Sequence, residues 1–138
     1  MKLIKICFFL IFIPTALFAS TEYFKDGLKL YEKKQFDKAK FKFEQDIVFN
    51  PKSEKAYLYL SKIYNQQNKK ELEEKNLNTV ILLNPKNEEA IFNLAKLKLQ
   101  ESDFKESEIL INKLLNFCEN FCKRSLKLKV EIKNSLKK

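Results

Sequence analysis

Two Asn-Pro dipeptides, 34 residues apart, are the feature that most constrains the fold of this 138-residue chain. Asn50-Pro51 ends one run of apolar residues and Asn84-Pro85 ends another. Proline cannot continue a helix, so each dipeptide predicts a helix end. A fixed period of this length is typical of solenoids, in which stacked helical units share one continuous core.

Three copies of the period align, over residues 20–53, 54–87 and 88–121. The fourth and thirtieth positions of every copy are large and apolar, whereas the eighth is always small. The fourth residues are Tyr23, Tyr57 and Ile91, the thirtieth are Phe49, Leu83 and Phe117, and the eighth are Gly27, Ser61 and Ala95. Large residues are expected where one helix presses on its partner. Small residues are expected where two helix backbones approach closely.

This spacing resembles the tetratricopeptide repeat family, whose 34-residue units carry small, aromatic and proline residues at fixed positions. The first copy matches that pattern best, at Tyr23, Gly27, Leu30, Phe36, Ala39, Phe43 and Pro51. The second copy departs from it at Lys70 and Glu73, and the third at Lys98 and Glu119. The resemblance covers about 100 residues and implies an α-solenoid of three helix-turn-helix units.

The composition also predicts an all-α fold. Gly27 is the only glycine, which excludes a glycine-rich phosphate loop and disfavours tight β-hairpins. Seven helices are expected, at about 21–34, 36–49, 54–67, 70–83, 88–101, 105–117 and 121–136. Ser53 and Asn87 are the predicted N-caps of the third and fifth helices, and Asn68 marks the turn inside the second copy.

Residues 1–19 have the layout of a secretory signal peptide. Lys2 and Lys5 precede an uncharged run that ends at Phe18, and Ala19 offers a small residue for cleavage. The uncharged run is shorter than the roughly 20 residues that span a bilayer. The chain is therefore predicted to be exported, to a bacterial periplasm. The alternative is a protein anchored in the membrane by an uncleaved leader.

The tail, residues 122–138, is predicted to be a basic amphipathic helix that caps the third copy. The apolar stripe begins at Phe121, just before the tail, and continues at Leu128, Ile132 and Leu136, with Ser125 between them. The chain carries 27 basic and 18 acidic residues, and the tail holds much of the surplus. A basic helix can also lie on an anionic membrane surface. Nucleic acid is a poor fit, because Phe121, just before the tail, is the only aromatic residue there for base stacking.

No catalytic or cofactor chemistry is indicated. The chain has no histidine, so neither a Ser-His-Asp nor a Cys-His arrangement can form, and metal sites lose their commonest ligand. We therefore predict a non-enzymatic protein without a metal site or a cofactor. The carboxylate pairs Glu73/Glu74 and Glu88/Glu89 are predicted to be solvated, at helix starts or on exposed faces.

Cys118 and Cys122 lie where the sixth helix gives way to the seventh. In an oxidising compartment they could close a disulfide across that turn. Otherwise they are two small, buried thiols. The sequence leaves both interpretations open.

The family resemblance implies a concave groove that binds peptide segments and is lined by the first helix of each unit. Carried over by position, the lining residues are Phe24, Leu28, Tyr31, Leu58, Tyr59, Lys62, Phe92 and Lys96. Tyr59 and Phe92 are the predicted aromatic anchors. Lys62 and Lys96 are predicted to attract an acidic or carbonyl-rich segment.

One subset of the family clamps a C-terminal carboxylate with basic and amide side chains. The matching positions here include no basic residue, and Glu89 would repel a carboxylate. The sequence as a whole therefore predicts an exported scaffold whose partner is another protein, held in the groove by a segment other than a free C-terminus. The alternative is a membrane-surface or envelope-assembly accessory protein that uses the basic C-terminal helix.

Overall fold

The computed structural model describes residues 21–137, and every regular element in that part of the chain is an α-helix. The seven helices are α1 (Glu22–Glu32), α2 (Phe36–Phe49), α3 (Glu54–Gln66), α4 (Lys70–Leu83), α5 (Glu88–Gln100), α6 (Phe104–Leu115) and α7 (Cys122–Ser135). The pairs α1–α2, α3–α4 and α5–α6 stack in chain order, and α7 packs on α6 and α5. The predicted signal peptide lies outside the described residues. None of the described helices is long and apolar enough to cross a membrane.

The turns inside the three pairs repeat at intervals of 34 residues. Lys34, Asn68 and Ser102 each have a positive φ, of 58°, 55° and 63°. The residue after each of them donates its N–H to the carbonyl five positions earlier, over 2.9 Å in all three turns. This left-handed turn ends a helix and satisfies one of its last carbonyls. It also explains why α1, α3 and α5 end one or two residues before their predicted ends.

Polar side chains brace the junctions between pairs. Asn87 caps α5 as predicted, since its side chain accepts the N–H of Ala90 over 2.8 Å. Ser53 also occupies the predicted N-cap position, of α3, but its side chain makes no capping hydrogen bond, because its hydroxyl donates to Asp46. Asp46 is buried on α2 and also accepts the hydroxyl of Thr21, the N-cap of α1. One buried carboxylate therefore ties the starts of α1 and α3 to α2.

The hydrophobic core falls into two clusters of different composition. The cluster around the first pair is rich in aromatic rings, with Phe24, Phe43 and Tyr64 buried and Tyr31, Phe36 and Tyr59 packed against them. The cluster that joins the second and third pairs to α7 is mainly aliphatic. Gly27 is buried in α1, and a Cβ at this position would lie 2.7 Å from the ring of Phe43. The small residue predicted there is required by that close approach.

The third pair ends differently from the first two. Glu88 accepts the backbone N–H groups of Glu119, Asn120 and Phe121 over 2.8, 3.0 and 2.8 Å. A disulfide joins Cys118 to Cys122 across the same junction, with their Cα atoms 5.3 Å apart. The carboxylate and the disulfide stand where the earlier junctions have an Asn-Pro dipeptide.

Helix α7 covers the aliphatic cluster with Leu128 and Ile132, which are both buried. Ser125 is also buried on this side of the helix. Leu136, the last member of the predicted stripe, is 54% exposed, because it is the C-cap residue of α7 and follows the last residue of the helix.

Candidate functional site

A cavity of about 340 Å³ lies between helices α1, α3, α4 and α5. Its lining is mostly polar and charged: Tyr31, Ser61, Lys62, Asn65, Gln66, Glu73, Glu89, Asn93, Lys96, Leu97 and Gln100. Most of these residues come from the first helices of the second and third pairs. Three of the eight predicted groove residues, Tyr31, Lys62 and Lys96, line this central cavity.

The charge on one side of the central cavity is already compensated. Lys62 forms an ion pair with Glu89 over 2.8 Å, and its ammonium lies 4.7 Å from the centre of the Tyr59 ring. Lys62 is therefore not a free positive charge, contrary to the prediction that it attracts an acidic segment. Lys96 is exposed on α5.

Glu73 is the residue that departs most from its sequence-based prediction. Expected in solvent, it is only 4% exposed, in the first turns of α4, and it lines the central cavity. Both carboxylate oxygens lie 3.0 Å from the side-chain nitrogen of Asn65. Burial raises the pKa of Glu73 above its ordinary value, against the opposing effects of the Asn65 hydrogen bond and the nearby charge of Lys96.

The other three carboxylates of the two predicted pairs are also engaged. Glu74 pairs with Lys98 over 2.6 Å, Glu89 pairs with Lys62, and Glu88 holds the start of α7. Desolvation works to raise the pKa of Glu88, but its three backbone N–H donors outweigh that effect and lower the pKa. Glu88 and Glu89 lie in the first turn of α5, as predicted. The expectation of solvated charge is wrong for Glu73, which is buried. The ion-pair partners of Glu74 and Glu89 are distant in sequence, so a local interpretation could not find them. Within the described residues, no group of three potential metal ligands comes together.

Tyr31 of α1 lines the central cavity and contacts Tyr59 of α3, which does not line it. Their ring centres are 5.0 Å apart in an edge-to-face arrangement. Burial raises the pKa of Tyr31, although the charge of Lys62 acts in the opposite direction, so its hydroxyl remains a hydrogen-bond donor at neutral pH. Tyr59 also stacks on Phe43, with 5.2 Å between ring centres. Tyr59 therefore belongs to the aromatic cluster and is not an isolated anchor.

Four more of the predicted groove residues do not line the central cavity, and three of them are buried. Phe24, Leu58 and Phe92 are 7%, 8% and 7% exposed and belong to the hydrophobic clusters, and Leu28 is half-buried on α1. Phe92 packs against Phe121, and the guanidinium of Arg124 lies 4.6 Å from its ring centre. Phe121, just before α7, and Arg124, in its first turn, therefore cover the aromatic ring that was predicted to be open.

A second cavity, of about 410 Å³, lies between α5 and α7. Its lining combines one face of Phe92 with the aliphatic Leu99 and Leu128 and with charged residues of α7, including Arg124 and Lys127. Lys96 and Gln100 line this cavity and the central one. The two cavities therefore share one wall and lie on either side of α5.

Three solved structures illustrate what the chain resembles. The first tetratricopeptide domain of Spaghetti (RPAP3), bound to HSP90 peptide SRMEEVD, has a TM-score of 0.75 and 15% identity, with 84% of this chain and 91% of that one covered. The type III secretion chaperone SycD of Yersinia enterocolitica, with a peptide of the translocator YopD, has a TM-score of 0.75 and 16% identity, with 81% and 90% covered. The Sgt2 domain of Aspergillus fumigatus has a TM-score of 0.72 and 18% identity, with 86% and 82% covered.

No family model and no curated protein sequence matches the chain. The structural likeness extends over four-fifths or more of each of these chains, at identities where it establishes the fold and not the activity. The three 34-residue helical pairs and these neighbours together identify the fold of this chain as a tetratricopeptide-repeat solenoid.

Proposed function

We propose that this protein is an exported, non-catalytic scaffold that holds an extended segment of another protein in the groove formed by α1, α3 and α5. The observation that carries the proposal is the central cavity, with its polar lining of amides and partly paired charges. Asn93 and Gln100 present amide groups there, and such groups can both donate to and accept from a peptide backbone. Two of the similar structures, those of RPAP3 and SycD, hold peptides.

The test begins with a peptide ligand selected from a random dodecamer phage library on residues 20–138. Binding of the synthetic peptide is then compared between the wild-type protein and the Asn93→Ala, Gln100→Ala double variant. Removing two lining amides should weaken binding about tenfold. The melting temperature should stay within experimental error of wild type, since neither side chain belongs to a hydrophobic cluster.

A matched control replaces Asn78 and Asn112 by alanine. Both are exposed amides on the second helices of their pairs, outside the cavities lined by α5. The control should bind the peptide as wild type does. Equal loss of affinity in both double variants, or none in either, would mean that the groove is not the binding surface.

The proposal of export is based on the leader, residues 1–19, which lies outside the described part of the structure. Intact-mass measurement of the protein purified from its native cells tests it. A mass that corresponds to a chain beginning near residue 20 supports cleavage and export. A mass that retains Met1, in protein that only detergent extracts, supports the membrane-anchored alternative.

A second candidate function involves the outer face of α7. Leu126 and Val130 are one helical turn apart and are 56% and 57% exposed. The exposed lysines of the same helix and its end are Lys123, Lys127, Lys133 and Lys137. Aliphatic residues surrounded by lysines are typical of helices that lie on anionic membranes, where each basic residue contributes about 1 kcal/mol.

Co-sedimentation with vesicles tests this second function. Residues 20–138, without the leader, should bind vesicles that contain phosphatidylglycerol and should not bind pure phosphatidylcholine vesicles. Leu126→Asn with Val130→Asn should reduce that binding. Ile109→Asn, at a residue of α6 that is similarly exposed, serves as the control and should leave it unchanged. Vesicle binding that both variants retain would assign the interaction to general positive charge.

A further inference from the structure

Glu73 occupies a position that is buried in all three helical pairs. The equivalent residues, 34 positions away on either side, are Ala39 and Ser107, and both are fully buried. Ala39 contributes no polar side-chain atom, and the Ser107 hydroxyl donates to the carbonyl of Ala95. Only the second pair places a carboxylate here. A buried carboxylate is costly unless it is well hydrogen-bonded or paired, so its presence requires an explanation.

The hydrogen-bonding capacity of Glu73 is largely unused. Its two oxygens share one donor, the side-chain nitrogen of Asn65. A carboxylate can accept about four hydrogen bonds. No ion pair within 4.0 Å reaches Glu73 from the residues that the structure describes, since Lys96 influences it only over a longer distance.

An aromatic ring and an amide of the central cavity suit a planar cation, whereas the lysines near Glu73 compete with one. Tyr31 contributes an aromatic ring to the same central cavity, and Gln100 contributes an amide. Glu101 adds a negative charge near Glu73, whereas Lys96 and Lys70 add positive ones. A guanidinium has five donors in a fixed fork, pairs with a carboxylate through two hydrogen bonds, and stacks on aromatic rings.

We infer that Glu73 is the floor of a subsite that takes an arginine side chain from the segment bound in the central cavity. This inference rests on the proposed peptide-binding function and names the residue type that the partner supplies. In the bound state the arginine guanidinium occupies the free lone pairs of Glu73. The exposed Lys96 side chain moves aside toward solvent. The earlier expectation of an acidic segment is replaced, because Lys62 is paired with Glu89.

The experiment uses two small probes, N-acetyl-argininamide and its uncharged analogue N-acetyl-citrullinamide, titrated into residues 20–138 and followed by ¹H–¹⁵N NMR. The arginine probe should shift the Asn65 side-chain amide and the backbone amides of Tyr31 and Gln100. The citrulline probe should bind about tenfold more weakly, since it lacks the charge that strengthens the hydrogen bonds. Equal shifts with both probes would overturn the inference.

Three variants locate the effect. Glu73→Gln keeps the shape and the Asn65 contact and should weaken arginine binding about tenfold. Lys96→Ala should strengthen it, because a competing positive charge is removed. Glu74→Gln is the control, since Glu74 pairs with Lys98 and does not line the cavity. If Glu73→Gln does not fold, the Lys96→Ala result decides alone, and unchanged or weaker binding there contradicts the subsite.

These results are separable from the test of the groove. If the selected dodecamer loses affinity in the Asn93→Ala, Gln100→Ala variant while Glu73→Gln binds the arginine probe as wild type does, peptide binding stands and the arginine subsite is wrong. If the dodecamer binds the Asn93→Ala, Gln100→Ala variant as tightly as wild type, the proposed function itself is wrong.

Discussion

The first and third helical pairs pack in the same way with different side chains. Where the two helices of a pair pack most closely, at the helix crossing, the first pair has Gly27 and Phe43. The third pair has Ala95 and Ile111 at the equivalent positions. The larger residue on one helix accompanies the smaller residue on the other. The volume at the crossing, more than the identity of either residue, is therefore what the repeat keeps constant.

The two pairs also differ in what lies beyond them. On the outer side of the third pair, α7 contributes Leu128 and Ile132 to the aliphatic cluster. In the first pair, Phe41, Val48 and Phe49 of α2 remain more than half exposed. We therefore expect α7, and not the repeats alone, to set the stability of the C-terminal half.

Removing the buried face of α7 should have the largest effect on stability. Leu128→Ala with Ile132→Ala should lower the free energy of unfolding by about 4 kcal/mol or more, since each deletion of a buried aliphatic side chain costs about 2–5 kcal/mol. Leu126→Ala with Val130→Ala, on the exposed face of the same helix, should change it by less than about 1 kcal/mol. Urea unfolding followed by circular dichroism measures both, and similar losses in the two variants would mean that α7 is not a cap.

The disulfide beside α7 should matter less. Cys118→Ser with Cys122→Ser should lower the free energy of unfolding by about 2 kcal/mol, the amount expected for a cross-link that closes so short a loop. Reducing agent should have the same effect on the wild type and none on the variant. An unchanged melting temperature would show that the Glu88 carboxylate holds this junction without the disulfide.

The match in size between Gly27 and Phe43 at the helix crossing can be broken by a substitution at Gly27. A Cβ there meets the Phe43 ring at 2.7 Å, so Gly27→Ala should destabilise the protein by about 1–2 kcal/mol, even though alanine is the better helix former by about 1 kcal/mol. Adding Phe43→Ile reproduces the size combination of the third pair and should make the effect of Gly27→Ala smaller or reverse it. A double-mutant cycle on thermal unfolding measures that coupling, and simple additivity would contradict the volume argument.

The sequence predicted the elements of the fold because its strongest signals are local and periodic. The 34-residue spacing, the Asn-Pro stops and the Asn87 cap all depend on residues that are neighbours along the chain. The bridging carboxylates were missed because their partners are distant: Asp46 meets Thr21 across 25 positions, and Glu88 meets Phe121 across 33. Phe92 was misplaced for a related reason, since what covers it is Phe121 and Arg124 of the non-repeating C-terminal segment.

The smallest effect is expected at the left-handed turns inside the pairs, which the first and third pairs share with the second. Lys34, Asn68 and Ser102 adopt a left-handed backbone that favours glycine, yet none of them is glycine. A non-glycine residue in this conformation costs about 1–2 kcal/mol of strain. Glycine removes that strain but loses more chain entropy on folding, so the net gain in stability is smaller than the strain. Lys34→Gly and Ser102→Gly should therefore each raise the free energy of unfolding by about 0.5–1 kcal/mol.

Asn68→Gly should gain less than the other two, because asparagine tolerates this conformation better than lysine or serine does. Lys33→Gly is the control: it lies one residue earlier, at a φ of −78°, and glycine there should stabilise nothing. Thermal unfolding of the four variants under one buffer condition gives the ranking. If Lys33→Gly stabilised the protein as much as Lys34→Gly, the gain would come from the end of α1 in general. The shared left-handed turn would then carry no strain that glycine relieves.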